Sequence, residues 1–302
     1  MHKPRFWVDK WVFSVDKVKL FSYLQDKEGI FMSSMYFELD PAEAYGVSDL
    51  EGYLRDRFSA IPAGDMTILR RSLDARGPRP IVNVRIADSR SPEAIASSGQ
   101  PYEPLPLAEN APELHIIGAG PAGLFAALRC LERGWRPVVW ERGCSVRERR
   151  RDVAMLSREG RLNPESNYCY GEGGAGTFSD GKLYTRSTKR GDVASVLRLL
   201  VTLGAPPQIM YDAHPHIGTN KLPALIEQAR QTINACGGQI HFNRRVVELE
   251  RERGLIRALV LESGERIPVQ AVMLCTGHSA RDVFEMLQRA GLDIQAKPLA
   301  MG

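Results

Sequence analysis

From about residue 32 onward, the spacing of apolar and polar positions predicts a run of short elements. Met35 to Leu39 reads as a strand. Ser48 to Phe58 places Leu50, Tyr53, Leu54 and Phe58 on one helical face, and Met66 to Arg70 and Ile81 to Ile86 read as two more strands. Together they predict a small α+β unit. Upstream, the lysine-rich stretch Asp9 to Lys27 holds neither a helical nor a strand period for long. Downstream, residues 88–111 turn to Ser, Pro, Glu, Ala and Gly with few apolar positions, which predicts a linker.

A second pattern begins at Pro112. Leu114, Ile116 and Ile117 form a short apolar strand. Leu124, Phe125, Leu128 and Leu131 then mark a helix bounded by Pro121 and Gly134, and Pro137 to Trp140 form another strand. Helices are expected at Asp192 to Leu203 and from Thr219, as N-cap, to Gly237. The remainder is β in character: Ile240 to Phe242, Val246 to Leu249, Ile256 to Leu261 and Ile267 to Val269. Ala271 to Cys275 is continuously apolar, as expected of a parallel strand buried on both faces. The expected organisation is a small α+β domain (1–87), a linker (88–111) and a nucleotide-binding domain (112–302).

Composition narrows the function classes. At 302 residues and 43% hydrophobic content the chain can bury about two cores. A net charge of +4, with bases and acids interspersed, gives no electrostatic footprint for nucleic acid. No apolar run is long enough to span a bilayer, and MHKPRFWVDKWVF lacks the pattern of a cleaved leader, so the expectation is a cytoplasmic protein without a membrane partner. The five cysteines are scattered and lack C-x-x-C, which argues against a disulfide framework, a zinc site or a redox dithiol. None lies in residues 1–110, where an iron–sulfur role would need them, and that region also lacks the aromatic and glycine pattern of an RNA-binding sheet.

The chemistry lies where the second pattern starts. Gly118, Gly120 and Gly123 fit G-x-G-x-x-G at the turn from strand into helix, and Glu141 ends the following strand roughly 20 residues later. Gly118 permits the tight turn, Gly120 leaves bare backbone for a diphosphate, and Gly123 lets helix and sheet approach. Glu141 is placed to accept from ribose hydroxyls. Arg142, Arg147, Arg149, Arg150 and Arg151 crowd behind it, either as a phosphate clamp, with Arg142 and Arg149 as candidates, or as a solvated helical face. Asn167 to Arg186 holds glycines at 171, 173, 174, 176 and 181, interleaved with Tyr168, Tyr170, Phe178 and Leu183 and with the polar Thr177, Ser179, Asp180 and Lys182. Such density allows backbone to approach something flat or another chain segment. His214 and His216 lack further ligands at a metal-binding spacing.

The order of cradle, glycine-rich insert, helix, β-meander and strand ending Thr-Gly resembles the FAD domain of the glutathione-reductase-like flavoproteins. RRSLDARG (Arg70 to Gly77), YGEGGAGTFSDGKL (Tyr170 to Leu183) and HPHIGTNKL (His214 to Leu222) narrow this to a resemblance with poorly characterised bacterial FAD-dependent dehydrogenases that carry a ferredoxin-like domain first. The resemblance implies an α/β fold with a Rossmann-like FAD-binding domain and β-meander, preceded by a small α+β domain. It implies FAD held by Gly118, Gly120, Pro121, Ala122, Gly123 and Glu141, with Arg142 and Arg149 close by and Val246 against the adenine. Thr276 and Gly277 would lie near the pyrophosphate or ribityl end, and Ser179, Gly181 and Lys182 toward the isoalloxazine. The implied activity is oxidation of a small-molecule substrate by hydride transfer to flavin N5, with a second acceptor or NAD(P)H as co-substrate closing the cycle. Lys182, Asp180 and His278 are candidates for charge and proton handling. The family's final Gly-Asp segment has no counterpart before KPLAMG, which reads as an N-terminal piece. The alternatives are a catalytically incomplete dinucleotide-binding module and an NAD-dependent dehydrogenase.

Overall fold

The computed structural model describes residues 14–15, 18–26, 29–58, 61, 65–99, 102–104, 106–183, 185, 191–218 and 220–296. The first elements are β1 (Ser14–Val15), β2 (Val18–Asp26), β3 (Gly29–Leu39), α1 (Pro41–Gly46), α2 (Leu50–Arg57), β4 (Met66–Asp74), β5 (Ile81–Asp88) and α3 (Pro92–Ser98). They are followed by β6 (Glu113–Ile117), α4 (Pro121–Glu132), β7 (Arg136–Trp140), α5 (Val146–Glu159), α6 (Val193–Thr202), a 3-10 turn (Pro207–Met210) and α7 (Leu222–Ala235). The last are β8 (Gln239–His241), β9 (Val246–Glu252), β10 (Leu255–Leu261), β11 (Arg266–Pro268), β12 (Val272–Leu274) and α8 (Arg281–Arg289). No described helix is long and apolar enough to cross a membrane.

The chain divides into two compact units, residues 1–102 with 182–217 and residues 103–181 with 218–302. The first is built on an antiparallel sheet in the order β1-β2-β3-β5-β4. Period-two alternation turns Met35, Phe37 and Leu39 of β3 and Val82, Val84 and Ile86 of β5 to one face, where Leu50 and Leu54 of α2 close the core. Helix α1 lies in a stretch where no element was expected. Its signal is the D-x-x-E box: Asp40 accepts from Ala42 N at 2.9 Å while its own N–H donates to Glu43 at 3.1 Å.

Residues 182–217 belong to this first unit, so the expected continuous domain 112–302 is interrupted. The join is Arg71 of the RRSLDARG stretch. Its guanidinium is buried, grips Asp212 through two bonds of 2.7 and 3.0 Å and donates to Ala44 O at 2.9 Å, between the rings of Tyr45 and Tyr211. The backbone of Tyr211 and Ala213 bonds Arg71 on both sides, which covers the outer edge of β4 at that point. The expected linker also holds structure, because Ser91 caps α3 through Ala94 N and both Ala94 and Tyr102 are buried. A seven-residue helix with a single buried apolar anchor is too short to register as a period.

The second unit is the expected α/β domain. A parallel sheet in the order β12-β6-β7-β8 carries the βαβ unit β6-α4-β7, and an antiparallel meander β11-β10-β9 stands beside it. Ile117, Val138 and Trp140 pack with Leu249, Leu259 and Leu261 of the meander and with Val283 and Met286 of α8. Helix α4 contacts β6, β7 and α7. This is a Rossmann-like α/β fold.

Two expectations are corrected here. Helix α7 starts at Leu222, with Lys221 in the cap position and Pro223 in its first turn, while Thr219 lies outside the described residues. Strand β12 is not buried on both faces: it is the edge of the sheet, and Met273 and Leu274 are 41% and 40% exposed. A run of apolar residues reports hydrophobicity and not rank within a sheet, so sequence alone does not separate an edge from a centre.

Candidate functional site

Sheet order determines where a ligand can sit. From β6 the chain crosses to β7 on one side, while β12 lies on the other, so the strand order reverses at the carboxyl end of β6. Crevices in open parallel sheets form at such a reversal. A cavity of ≈ 310 Å³ is found there, walled by Ile117 at the end of β6, Gly118 after it, Gly120 to Ala122 at the start of α4, and Cys275 to Gly277 after β12.

The turn itself depends on two absent side chains. Gly118 sits at φ +104°, and a Cβ built there would lie 2.6 Å from Cys275 O. At Gly123 a Cβ would fall 1.9 Å from Gly118 O, so the helix starts in contact with the backbone of the turn. The amides of Ala122 and Gly123 belong to the first helical turn and have no i−4 carbonyl within the helix, which leaves them and the positive end of the dipole for an anion.

Glu141 is buried and turned toward this loop. Its Oε2 accepts from Ala119 N at 2.7 Å, and its Oε1 accepts from Gly143 N at 2.8 Å and Gly171 N at 3.1 Å. One carboxylate thus joins the glycine turn, the end of β7 and the second glycine-rich stretch at the cavity wall.

That second stretch comes to the turn directly. Gly173 N donates to Ala119 O at 2.8 Å, and Gly171, Gly174, Ala175 and Gly176 line the cavity. The part of the stretch expected at the cofactor is displaced, however. Ser179 and Gly181 lie outside the cavity wall: the Ser179 hydroxyl donates to Gly176 O and accepts from Gly181 N. Asp180 is also outside the wall, and Lys182 belongs to the first unit, where its backbone forms an isolated antiparallel β-bridge with that of His216. Val246, Thr276, Gly277 and His278 do line the cavity.

The two candidate arginines part company. Arg142 lines the cavity, paired with Glu165 at 2.7 and 3.0 Å and with Asp282 at 3.1 Å, and its guanidinium lies 4.2 Å from the Tyr170 ring centre. Burial works to lower its pKa, but the Glu165 bond and the Glu165 and Asp282 charges carry it above the ordinary value. Arg245 links the same two acids at 3.2 and 2.8 Å, which closes a four-membered charge ring of which Arg142, Arg245 and Asp282 line the cavity. Arg149, in contrast, is fully buried, outside the wall and committed to the loop behind it, so the phosphate-clamp expectation for Arg149 gives way. Glu165 and Asp282 carried no signal in the sequence, since the Arg142–Asp282 pair spans 140 residues.

Glu172 is a further buried acid that sequence reasoning passed over. It is 0% exposed, with Oε2 accepting from Val146 N at 2.7 Å and Arg230 Nη1 at 3.4 Å, while Oε1 has no partner among the described residues. Burial raises its pKa, against the lowering pull of the Val146 amide and Arg230.

No family model matches the chain. A protein of Clostridium beijerinckii, described only as uncharacterized, is 37% identical over 259 residues, covering 78% of this chain and 47% of that protein. The chain therefore spans about half the length of this curated relative. Among solved structures, THI4 of Thermovibrio ammonificans aligns with 61% of this chain and 64% of its own at 16% identity and a TM-score of 0.40. A flavocytochrome c3 fumarate reductase in its open conformation aligns with 55% of this chain and 33% of its own at 18% identity and a TM-score of 0.36. The ferredoxin reductase for the CYP199A2 system of Rhodopseudomonas palustris gives 61%, 28%, 15% identity and 0.27. The fold class follows from the sheet order and the βαβ unit themselves: the second unit presents a Rossmann-like cradle whose glycine turn, acidic strand end and second glycine stretch share one cavity.

Proposed function

We propose that this chain is the FAD-binding part of an FAD-dependent oxidoreductase acting on a small molecule. The observation that carries the reading is Glu141: a buried carboxylate ending the second parallel strand, 2.7 Å from the Ala119 amide, inside the turn that opens on the cavity. What favours FAD over a nicotinamide dinucleotide is the antiparallel meander β9–β11 that follows β8, where a nicotinamide-binding domain would ordinarily continue with further strand–helix alternation.

The residues present fit the cofactor. Gly120 contributes bare backbone to the cavity, and the nearest heavy atom to a Cβ built there is Gly174 Cα at 3.8 Å. Ala122 and Gly123 would hold the diphosphate through their amides. Glu141 would accept from the ribose, which spends none of its existing bonds because each carboxylate oxygen takes more than one donor. Val246 would pack on the adenine, and Thr276 and Gly277 would lie along the same cofactor. FAD, when bound, supplies two-electron redox chemistry, with NAD(P)H proposed as co-substrate. Among the protein's own groups at the cavity, His278 is the candidate for holding or moving a proton.

The test is a titration of the purified protein with FAD, ADP and NAD, followed by flavin absorbance and thermal shift. The reading requires saturable FAD binding, competition by ADP and loss of both in Glu141→Gln. Stabilisation by NAD that exceeds that by FAD would overturn it in favour of a nicotinamide enzyme.

A further inference from the structure

We propose that Arg149 is a positioning residue of the dinucleotide site: it gathers the carbonyl groups of Asn167, Tyr168, Gly171 and Glu172 around one guanidinium and thereby holds Gly174 to Gly176 as a second diphosphate-facing wall beside the glycine turn. The proposal rests on the dinucleotide reading and adds to it a residue that does not itself face the cavity.

The coordination is unusual for a charged side chain. Arg149 is 0% exposed; Nε donates to Asn167 O at 2.9 Å, Nη2 to Tyr168 O at 3.1 Å, and Nη1 to Glu172 O at 2.8 Å, Thr177 Oγ1 at 2.9 Å and Gly171 O at 3.3 Å. A guanidinium carries its N–H groups in one plane, and here each of its three nitrogens finds neutral oxygens. The Phe178 ring stands 5.5 Å from the guanidinium carbon. Burial lowers the pKa of Arg149, and the nearby charges of Glu141 and Glu172 work against that. The cation therefore balances from behind the carboxylate that faces the cavity.

Carbonyls drawn inward leave amides free to point elsewhere. Gly171 N meets Glu141, Glu172 N meets Cys144 O and Gly173 N meets Ala119 O, so the loop is sewn to the glycine turn on one side and to Arg149 on the other. From Leu162 to Gly181 no residue lies in a regular helix or strand, so these bonds are what define the path. The product is the wall: Ala175 and Gly176 line the cavity, and their amides find no acceptor among the described residues. Two solvent-facing amides without such an acceptor, beside a helix N-terminus, suit the second phosphate of a diphosphate. Lysine offers one point charge in place of a planar fork and cannot reproduce the coordination.

The experiment compares the full chain with Arg149→Lys, Thr177→Val and, as a core control in the meander, Leu259→Ala. Amide hydrogen exchange is measured without ligand, and affinities are measured for adenosine, ADP and FAD. In Arg149→Lys, protection of residues 167–177 should fall at least about tenfold while α4 and β7 stay protected, and ADP and FAD affinity should fall about tenfold with adenosine little changed. Leu259→Ala should lose stability without that change in the ADP-to-adenosine ratio. Unaltered loop protection, or equal loss of ADP affinity in Leu259→Ala, overturns the proposal. Should Arg149→Lys not fold, Thr177→Val decides in its place, since it removes one acceptor and should shift the same ratio by about threefold. A wild-type chain that binds neither ADP nor FAD refutes the dinucleotide reading alone; loop protection then still decides whether Arg149 organises this segment.

Discussion

The chain builds its cavity from two glycine-rich stretches that reach the same place by opposite means. In the turn after β6 the glycines answer to regular structure: Gly118 and Gly123 yield to the backbone of Cys275 and of the turn itself, and strand and helix fix the path on either side. In the stretch after Asn167 the glycine at the head of the cavity wall answers to a side chain: Gly171 sits at φ +109°, and a Cβ there would lie 2.5 Å from Arg149 Cδ. The first is a consequence of secondary structure; the second substitutes for it, with one buried cation acting as the template. Glycine density alone therefore does not say what the glycines accommodate.

Substitutions can break this contrast or sharpen it. The largest effect is expected from Gly123→Ala, because a methyl group 1.9 Å from a backbone oxygen cannot be relieved by rotamer change. It should cost about 3 kcal/mol or more and abolish FAD binding, read by denaturant unfolding and flavin titration. Glu141→Gln turns one acceptor among three backbone amides into a donor and should cost roughly 2–3 kcal/mol and at least about tenfold in ADP affinity. Gly171→Ala combines a left-handed φ with a side-chain clash and should cost roughly 2 kcal/mol. A loss as large as that of Gly123→Ala would erase the distinction between the two stretches.

A smaller and pH-dependent effect is expected at Glu172. Its pKa in the folded chain is raised by burial, so the neutral form is favoured there, and the contribution to stability is present at acid pH and lost as pH rises through the folded value. Glu172→Gln is neutral throughout, so the melting temperature of the variant relative to wild type should increase from about pH 4 to about pH 8. A flat difference would mean that Arg230, 3.4 Å away, fully offsets the burial. The smallest stability effect is expected at Gly176→Ala, where a Cβ meets nothing within 4 Å: within about 0.5 kcal/mol of wild type, with ADP affinity nonetheless reduced.

What the sequence made legible follows the same division. The βαβ unit, the acidic strand end and the meander could be read from it, because each depends on local spacing: Pro121 opens α4, Gly134 follows its end, and Glu141 closes β7. Residues fixed by distant partners were not legible. Arg149 and Arg142 look alike in RGCSVRERRRD, yet one is enclosed by carbonyls 18 to 23 positions later while the other pairs with Asp282. Within YGEGGAGTFSDGKL the pattern marked a site but not its half: the stretch reaches the cavity at Gly171 to Gly176, not at Ser179 to Lys182. No period in the sequence reports the side chain around which an irregular loop is wound.

The Arg71–Asp212 pair has a consequence for the order in which this chain is made. The two residues are 141 positions apart, and at about 5–20 residues per second a ribosome needs roughly 7–28 s to deliver the second after the first. Throughout that interval the outer edge of β4 at Arg71 stands without its cover while the entire glycine cradle emerges behind it. An early-stopped product would keep that edge bare, ready to recruit strands from neighbouring chains.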